Sequence, residues 1–510
     1  VRWKNSSDFA TPEDGENAVG VAIKNVVRSR FAACLAIGLV TLCPAQEQYP
    51  KPLNHTPTDH PAGRVLLLSI DGMHAFDLAN WIAAHPDSAL SELSARGVTY
   101  TNAHTPVADP VAGLVALVTG GTPISTGILS RHGYDRSLSP AGSNCRTVGA
   151  ILDLDTSYRA DGTFDAEKAP LDPHSGCTPL QPHNLLRVNT IFEVAREKIG
   201  PTAWAGESAA STDLLQGPSG TGLGQACGFQ QASDGRNSEE SASSGDDARV
   251  LIVLRWIDGQ DCAGNHAAHV PTLFGMSFVS LTTAQAEDGK GYGDAIGTPS
   301  IGLAEKFEFV DASIGRMVRE LKEKHLYDST WIFLVSPDGQ SPIDQRQLRL
   351  VPLAQLFKAA DHPDVVAHIT GGDAAMIWLH NPGLTATVVK AYSDHAAELG
   401  IQEIYSGARL ALTLNSPKTD SRVPDIILEA SPGVIWGSEG RRHLVTNGGD
   451  SDLDTHVALL VSGAQLTGRR DPTYVPTNQI APLLLRALGM EKFDLQALHK
   501  EHSPALPGIF

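Results

Sequence analysis

Apolar residues recur along this chain in two spacings, and the alternation between them outlines a fold. Arg64-Val-Leu-Leu-Leu-Ser-Ile70 is a short, unbroken apolar run that stops at Asp71-Gly72, the pattern of a parallel strand buried on both faces. Residues 86–97 suit a helix with Leu90 and Leu93 on one side and Gly97 as its stop. Val310, Ile314, Met317, Val318 and Leu321 recur at helical period and lead into a second unbroken strand at 330–336. Further strands are expected at 375–379, 425–428 and 457–462, with a closing helix at 479–488 ahead of Gly489. This succession predicts an α/β fold with a mostly parallel sheet, helices on both faces and loop-rich insertions.

The N-terminal region has a different grammar. Lys24, Arg28 and Arg30 precede an apolar run at 31–42, followed by Cys43-Pro44-Ala45. That is the layout of a cleavable signal peptide, and the run is too short to span a bilayer comfortably. We therefore expect an upstream segment and signal peptide over 1–45, with translation starting near Val26 or Val27. A linker at 46–62 and one domain over 63–510 should follow. Secretion or periplasmic export is the expected destination, with no transmembrane anchor. Cysteine usage agrees: beyond the signal lie Cys145, Cys177, Cys227 and Cys262. Four cysteines allow three pairings, of which the nearest-neighbour bridges Cys145–Cys177 and Cys227–Cys262 would each close a loop rich in Gly, Ser and Asp. These loops belong to two stretches, 128–185 and 205–265, that read as insertions into the core.

A net charge of −18 over 510 residues argues against nucleic acid or an anionic membrane as partner. It leaves room for a phosphate site held by a dication. Open parallel sheets place their sites beyond the C-terminal ends of strands, and two such ends carry carboxylates in matching contexts, Ser-Ile-Asp71-Gly and Ser-Pro-Asp338-Gly. A third segment, Thr446-Asn447-Gly-Gly-Asp450, precedes the strand at 457–462. Asp-Gly is also a common turn dipeptide, so the case for a dication depends on whether these ends converge.

Further segments follow in order: Ile70-Asp71-Gly72, the Gly-Leu-Val-Ala-Leu-Val-Thr-Gly-Gly-Thr-Pro run at 113–123, and residues 134–139, 188–194 and 311–328. Gly339-Gln-Ser-Pro-Ile-Asp344 and residues 478–489 complete the series. Taken together over 63–510, they resemble the type I phosphodiesterase/nucleotide pyrophosphatase branch of the alkaline phosphatase superfamily. The resemblance implies an alkaline-phosphatase-like fold, a Thr or Ser nucleophile and two metal ions, usually zinc, that lower the nucleophile's pKa and clamp phosphate oxygens. Asp71 matches the first metal carboxylate. The nucleophile position, ten residues before Gly120, falls on Pro110, with Asp109 beside it as a weak substitute and a natural helix cap. Asp338 and Asn447 stand at two positions where the family has metal-binding histidines. Leu281 and Gln285 fall where the family has the Asp and His of the other half-site. Asp71, Pro110, Asp338 and Asn447 should face one cleft. His74, His104, His362, His368, His443 and His456 could act as ligands only where the fold brings them together.

Two readings of function remain. One is an exported metal-dependent phosphoric-ester hydrolase with a rebuilt site. The other is a catalytically impaired descendant that keeps the cleft for a phosphorylated small molecule, with divalent metal, zinc by resemblance, weakly held or absent. Loss of nucleophile and ligands together favours the second, because catalytic groups act as a unit.

Overall fold

Val65 and Leu67 alternate with Leu66 and Leu68 between two separate apolar clusters, as side chains of a central strand must when both faces of its sheet are covered. The computed structural model describes residues 63–510 except 229–238, 266–268, 288–289, 295, 345, 361–362, 438–444, 447, 492–493 and 510. The expected signal peptide and linker lie outside the described residues, as do Asn447, His362 and His443. All described residues fall within one compact unit, Pro57–Phe510.

In chain order the elements used below are β1 Arg64–Ile70, α1 Ala75–Ala84, α2 Ala89–Ala95, β2 Gly97–Tyr100, β3 Ala103–His104, α3 Pro110–Thr119, β4 Thr202–Ala205 and β5 Gln225–Cys227. Then come α4 Glu239–Ile257, β6 Leu273–Phe278, α5 Ser280–Ala286, α6 Ile301–Glu323, β7 Thr330–Val335, β8 Val366–Ile369, β9 Ala374–Leu379 and β10 Ile401–Ser406. The last are β11 Ile426–Ala430, α7 Asp452–Thr455, β12 Leu459–Ser462, β13 Arg469–Asp471 and α8 Ile480–Ala487. The main sheet runs β13-β2-β12-β7-β1-β6-β4-β5. Its pairings are parallel except where β12 meets β7 and β2. Helices α3 and α8 pack on the Val65–Leu67 face, and α4, α5 and α6 on the Leu66–Leu68 face. This is the α/β architecture the apolar pattern predicts.

Two details differ from that pattern. Gly97 is not a left-handed helix stop. It opens β2, where a Cβ would lie 2.3 Å from the Val461 carbonyl oxygen, so glycine is needed for strand contact. The strands expected at 375–379 and 425–428 form, and they leave the main sheet. With β8 and β10 they make an antiparallel sheet of order β8-β9-β11-β10, built on its own apolar cluster.

Three Arg–Asp pairs fasten the approach to that second sheet: Arg136 to Asp425, Arg422 Nε to Asp135 at 2.9 Å, and Arg187 to both Asp420 oxygens at 2.5 and 2.7 Å. Burial opposes ionisation of Asp420, but its bonds from Arg187 and Asn415 prevail and hold the carboxyl at about 2. A carboxyl lowered in the folded state adds stability above its unfolded pKa and loses it as pH falls through the folded value. Asp420→Asn should therefore cost about 2 kcal/mol at pH 7, with the difference shrinking from about pH 4 down to about pH 2. Urea unfolding of the two proteins across that range checks this, and a pH-independent difference refutes it. Both loop-closing disulfides expected from cysteine spacing are present, Cys145–Cys177 and Cys227–Cys262, with Cα separations of 5.9 and 6.4 Å. Among the described residues, no helix is long and apolar enough to cross a membrane.

Candidate functional site

Four parallel strands deliver their C-terminal ends to one edge of the main sheet, and each end carries part of the candidate site. Asp71 follows β1, Glu207 follows β4, α5 follows β6, and Asp338 follows β7. Hydrogen bonds through the backbone and the Ser336 hydroxyl lace the two Asp-bearing ends together. Gly72 N donates to the Asp338 carbonyl oxygen at 3.2 Å, Met73 N to Ser336 Oγ at 3.1 Å, and Ser336 Oγ to the Asp338 carbonyl at 2.6 Å. Gly72 takes φ +78°, and a Cβ there would meet Gln285 Oε1 at 2.4 Å, so glycine serves both backbone and packing. Burial, then the nearby charges of Asp338 and Glu207, push the Asp71 carboxyl well above its ordinary value, while Arg131 opposes them.

The N-terminus of α3 approaches the same edge through Gly113, where a Cβ would lie 2.0 Å from the Pro337 carbonyl oxygen. Pro110 occupies the first turn of α3, where a missing N–H breaks no helix bond. Asp109 caps the helix: one oxygen accepts from Val111 N at 3.0 Å and Ala112 N at 2.8 Å. The other accepts from Ser130 Oγ at 2.7 Å and Arg131 N at 3.3 Å. Both oxygens of the residue beside Pro110 are thus engaged.

Sequence reasoning missed Arg131 and Glu207. Arg131 Nη1 donates to Asp155 Oδ2 at 2.6 Å and Nη2 to Glu207 Oε1 at 2.5 Å. The charges of Glu207, Asp155 and Asp109 favour the guanidinium further. One arginine therefore stands amid the carboxylates of this edge. No local signal marks it, since Arg131 and Glu207 are 76 residues apart.

Positions Leu281 and Gln285 both lie on α5, but neither presents an ionic ligand. Leu281 is fully buried in the apolar cluster beneath the sheet. Gln285 Nε2 donates to the Gly72 carbonyl oxygen at 2.8 Å and to Tyr292 Oη at 3.0 Å. Tyr292 in turn donates to Asp77 at 2.7 Å, and the buried His74 ring bonds Asp77 at 2.9 Å through Nδ1. Since Gln340 N donates to His74 Nε2 at 3.3 Å, the proton of this ring sits on Nδ1. This chain of bonds braces the Asp71–Gly72 turn.

A cleft of about 930 Å³ opens beside this edge, within the range of small-molecule sites. Val107, Ala108, Asp109 and Leu152 line one side and Met376 and Ile427 the other, so the second sheet supplies its far wall. Asp71 and Asp338 converge as expected, but at 6% and 0% exposure neither lines this cleft, and nor does Pro110, whose neighbour Asp109 does. Among the described residues they gain no third His, Cys, Asp or Glu close enough to complete a metal-ligand group. Among the other nominated histidines, His368 lines the cleft, while His104 and His456 meet elsewhere.

The sequence profile for type I phosphodiesterase / nucleotide pyrophosphatase matches residues 65–162 and 232–451. Among solved structures, human ectonucleotide pyrophosphatase/phosphodiesterase 5 superposes with a TM-score of 0.57 at 18% identity, over 84% of this chain and 95% of that one. The murine protein gives 0.56 at 15% identity over the same shares. So does its inactive variant in complex with AMP. At these identities the structural likeness speaks to fold alone. No curated protein matches the sequence.

Proposed function

This chain belongs to the type I phosphodiesterase/nucleotide pyrophosphatase family, within the alkaline phosphatase superfamily, and from that footing we propose that it is a catalytically impaired, exported member whose cleft binds a small molecule without cleaving it. The observation that carries this reading is the start of α3. Pro110 offers neither a hydroxyl to attack phosphorus nor an N–H to hold a phosphate oxygen. Its neighbour Asp109 is committed to capping the helix and to Ser130.

The remaining groups do not fit two zinc ions. Zinc takes imidazole, thiolate or carboxylate, and the α5 positions offer a buried leucine and a neutral amide, whose nitrogen is held by Gly72 and Tyr292 and whose oxygen is a weak donor for zinc. The buried pair Asp71 and Asp338 favours a second reading, in which one dication, with Asn447 as a further oxygen donor, supports residual hydrolysis by a different nucleophile. The AMP held by the murine relative makes AMP the first ligand to try in this cleft. Export through residues 1–45, leaving linker 46–62 and domain 63–510, accords with the two disulfides. A secreted chain beginning anywhere but near Gln46 would contradict it.

The test is hydrolysis of an aryl phosphodiester by the unmodified protein and by Pro110→Ser, each with added zinc, manganese, magnesium or calcium, beside calorimetric titration with AMP. Neither protein should turn over, because an alkoxide at position 110 still lacks a correctly held metal to form at neutral pH. AMP should bind the unmodified protein and be recovered intact. Robust metal-dependent turnover that disappears in Asp71→Ala would establish the hydrolase reading instead.

A further inference from the structure

The segment that leads into Asp109 and the turn that precedes β12 meet at a pair of histidines. His104 ends β3, His456 follows α7, and the two pair as an antiparallel bridge with stacked rings, centroids 4.7 Å apart and planes within 8°. We propose that His104, His456 and Asp452 bind a single divalent transition-metal ion, at a site separate from the Asp71–Asp338 pair.

One ligand atom from each of the three residues lies within 4.8 Å of the others. The hydrogen bonds around the rings assign their protons. His456 Nε2 donates to the Thr101 carbonyl oxygen at 2.9 Å. His104 Nε2 donates to Asn102 Oδ1 at 3.0 Å, and Asn102 is oriented by its own amide donating to the Pro472 carbonyl at 3.4 Å. With both Nε2 atoms carrying hydrogen, each ring keeps its lone pair on Nδ1. The Thr455 hydroxyl lies 3.3 Å from His104 Nδ1 but has a nearer acceptor in the Ser451 carbonyl at 2.9 Å. His456 Nδ1 is 3.6 Å from the Asp452 carboxylate.

A ligating histidine is ordinarily held this way, its other ring N–H donated to a carbonyl or amide oxygen that fixes the tautomer. Two imidazoles and one carboxylate form a donor set for zinc, cobalt or nickel, with an open position left for water. Tetrahedral zinc would require ligand atoms about 3.3 Å apart. His456 Nδ1 and the Asp452 carboxylate, whose side chain is 76% exposed, are already 3.6 Å apart, so the remaining approach falls to His104, whose ring must turn out of its stack on His456 to aim Nδ1 at a shared ion.

The placement gives the ion a structural effect on the cleft. Thr105 N donates to the Thr455 carbonyl at 2.8 Å, and both residues line the cleft wall. An ion held by His104 and by residues flanking Thr455 would tie together the two strands of chain that form this wall.

The test uses the full chain without a polyhistidine tag, titrated with zinc by calorimetry and followed by thermal unfolding. One equivalent should bind and raise the unfolding midpoint, as binding to the folded state alone requires. Asp452→Asn, an exposed change that leaves the packing intact, and His456→Gln should each weaken that equivalent. Asn102→Ala should weaken it by about 10–100-fold through loss of tautomer control. Asp71→Ala should leave it unaltered. Absence of zinc binding overturns the proposal, as does binding indifferent to Asp452→Asn and His456→Gln, or binding lost in Asp71→Ala.

Discussion

Replacing Leu281 by aspartate, the residue type that the family resemblance implies at this position, should destabilise the protein by more than about 4 kcal/mol, and added zinc should not restore it. Leu281 is fully buried among apolar residues of α5, α6 and the underside of the sheet. A carboxylate there would lose its hydration with no partner within the cluster. Truncation separates the two parts of the effect: Leu281→Ala should cost about 2–5 kcal/mol as a cavity, and Leu281→Met under about 1.5 kcal/mol because volume is conserved. The measurement is soluble yield and unfolding midpoint of the three variants with and without zinc. Recovery of the Leu281→Asp midpoint by zinc would mean that this side of the sheet edge still holds half of a metal site. The proposed loss of catalysis would then need revision.

Arg131→Met should lower stability by about 2–3 kcal/mol at neutral pH. That is somewhat below the about 3–5 kcal/mol for breaking a fully buried pair, since Arg131 and Glu207 retain 22% and 20% side-chain exposure. The arginine carries two short bonds, to Asp155 and Glu207, and its charge also favours the ionised form of Asp71. Without it the sheet edge keeps Asp71, Asp109, Asp155, Glu207 and Asp338 and no guanidinium among them. Adding Glu207→Gln to Arg131→Met should recover part of the loss, because one uncompensated carboxylate is removed. Urea unfolding of the single and double variants decides it. A loss under about 1 kcal/mol, or no recovery in the double variant, would show that solvent already screens these carboxylates. The result bears on the proposed function, because Arg131 is the fixed cation that bonds Glu207 and favours the ionised form of Asp71 at this edge.

How much of this was legible in advance follows from where each feature's information lies. The unbroken runs at 64–70 and 330–335 identified buried parallel strands, and the Asp-Gly pairs after them placed Asp71 and Asp338 at the same sheet edge. Pro110 at the head of α3 and Asp109 as its cap are local facts, because a helix start is decided by three or four adjacent residues. Cysteine spacing suggested the two bridges for a similar reason, since short loops close readily.

Other features depended on contacts between distant segments. The strands at 374–379 and 426–430 have the same apolar character as main-sheet strands, and only their pairing with each other assigns them to a second sheet. Gly97 had two readings, helix stop or tight strand start, and the Val461 carbonyl beside it selects the second. Arg131 meets Glu207, and His104 meets His456, only after strands far apart in the chain have taken neighbouring places. By itself the sequence determined the buried strands at 64–70 and 330–335, the cap of α3 and the residue types at each position. The tertiary structure decided which charges meet and which residues are walled off from the cleft, because burial and Coulomb interaction depend on distances that folding alone creates.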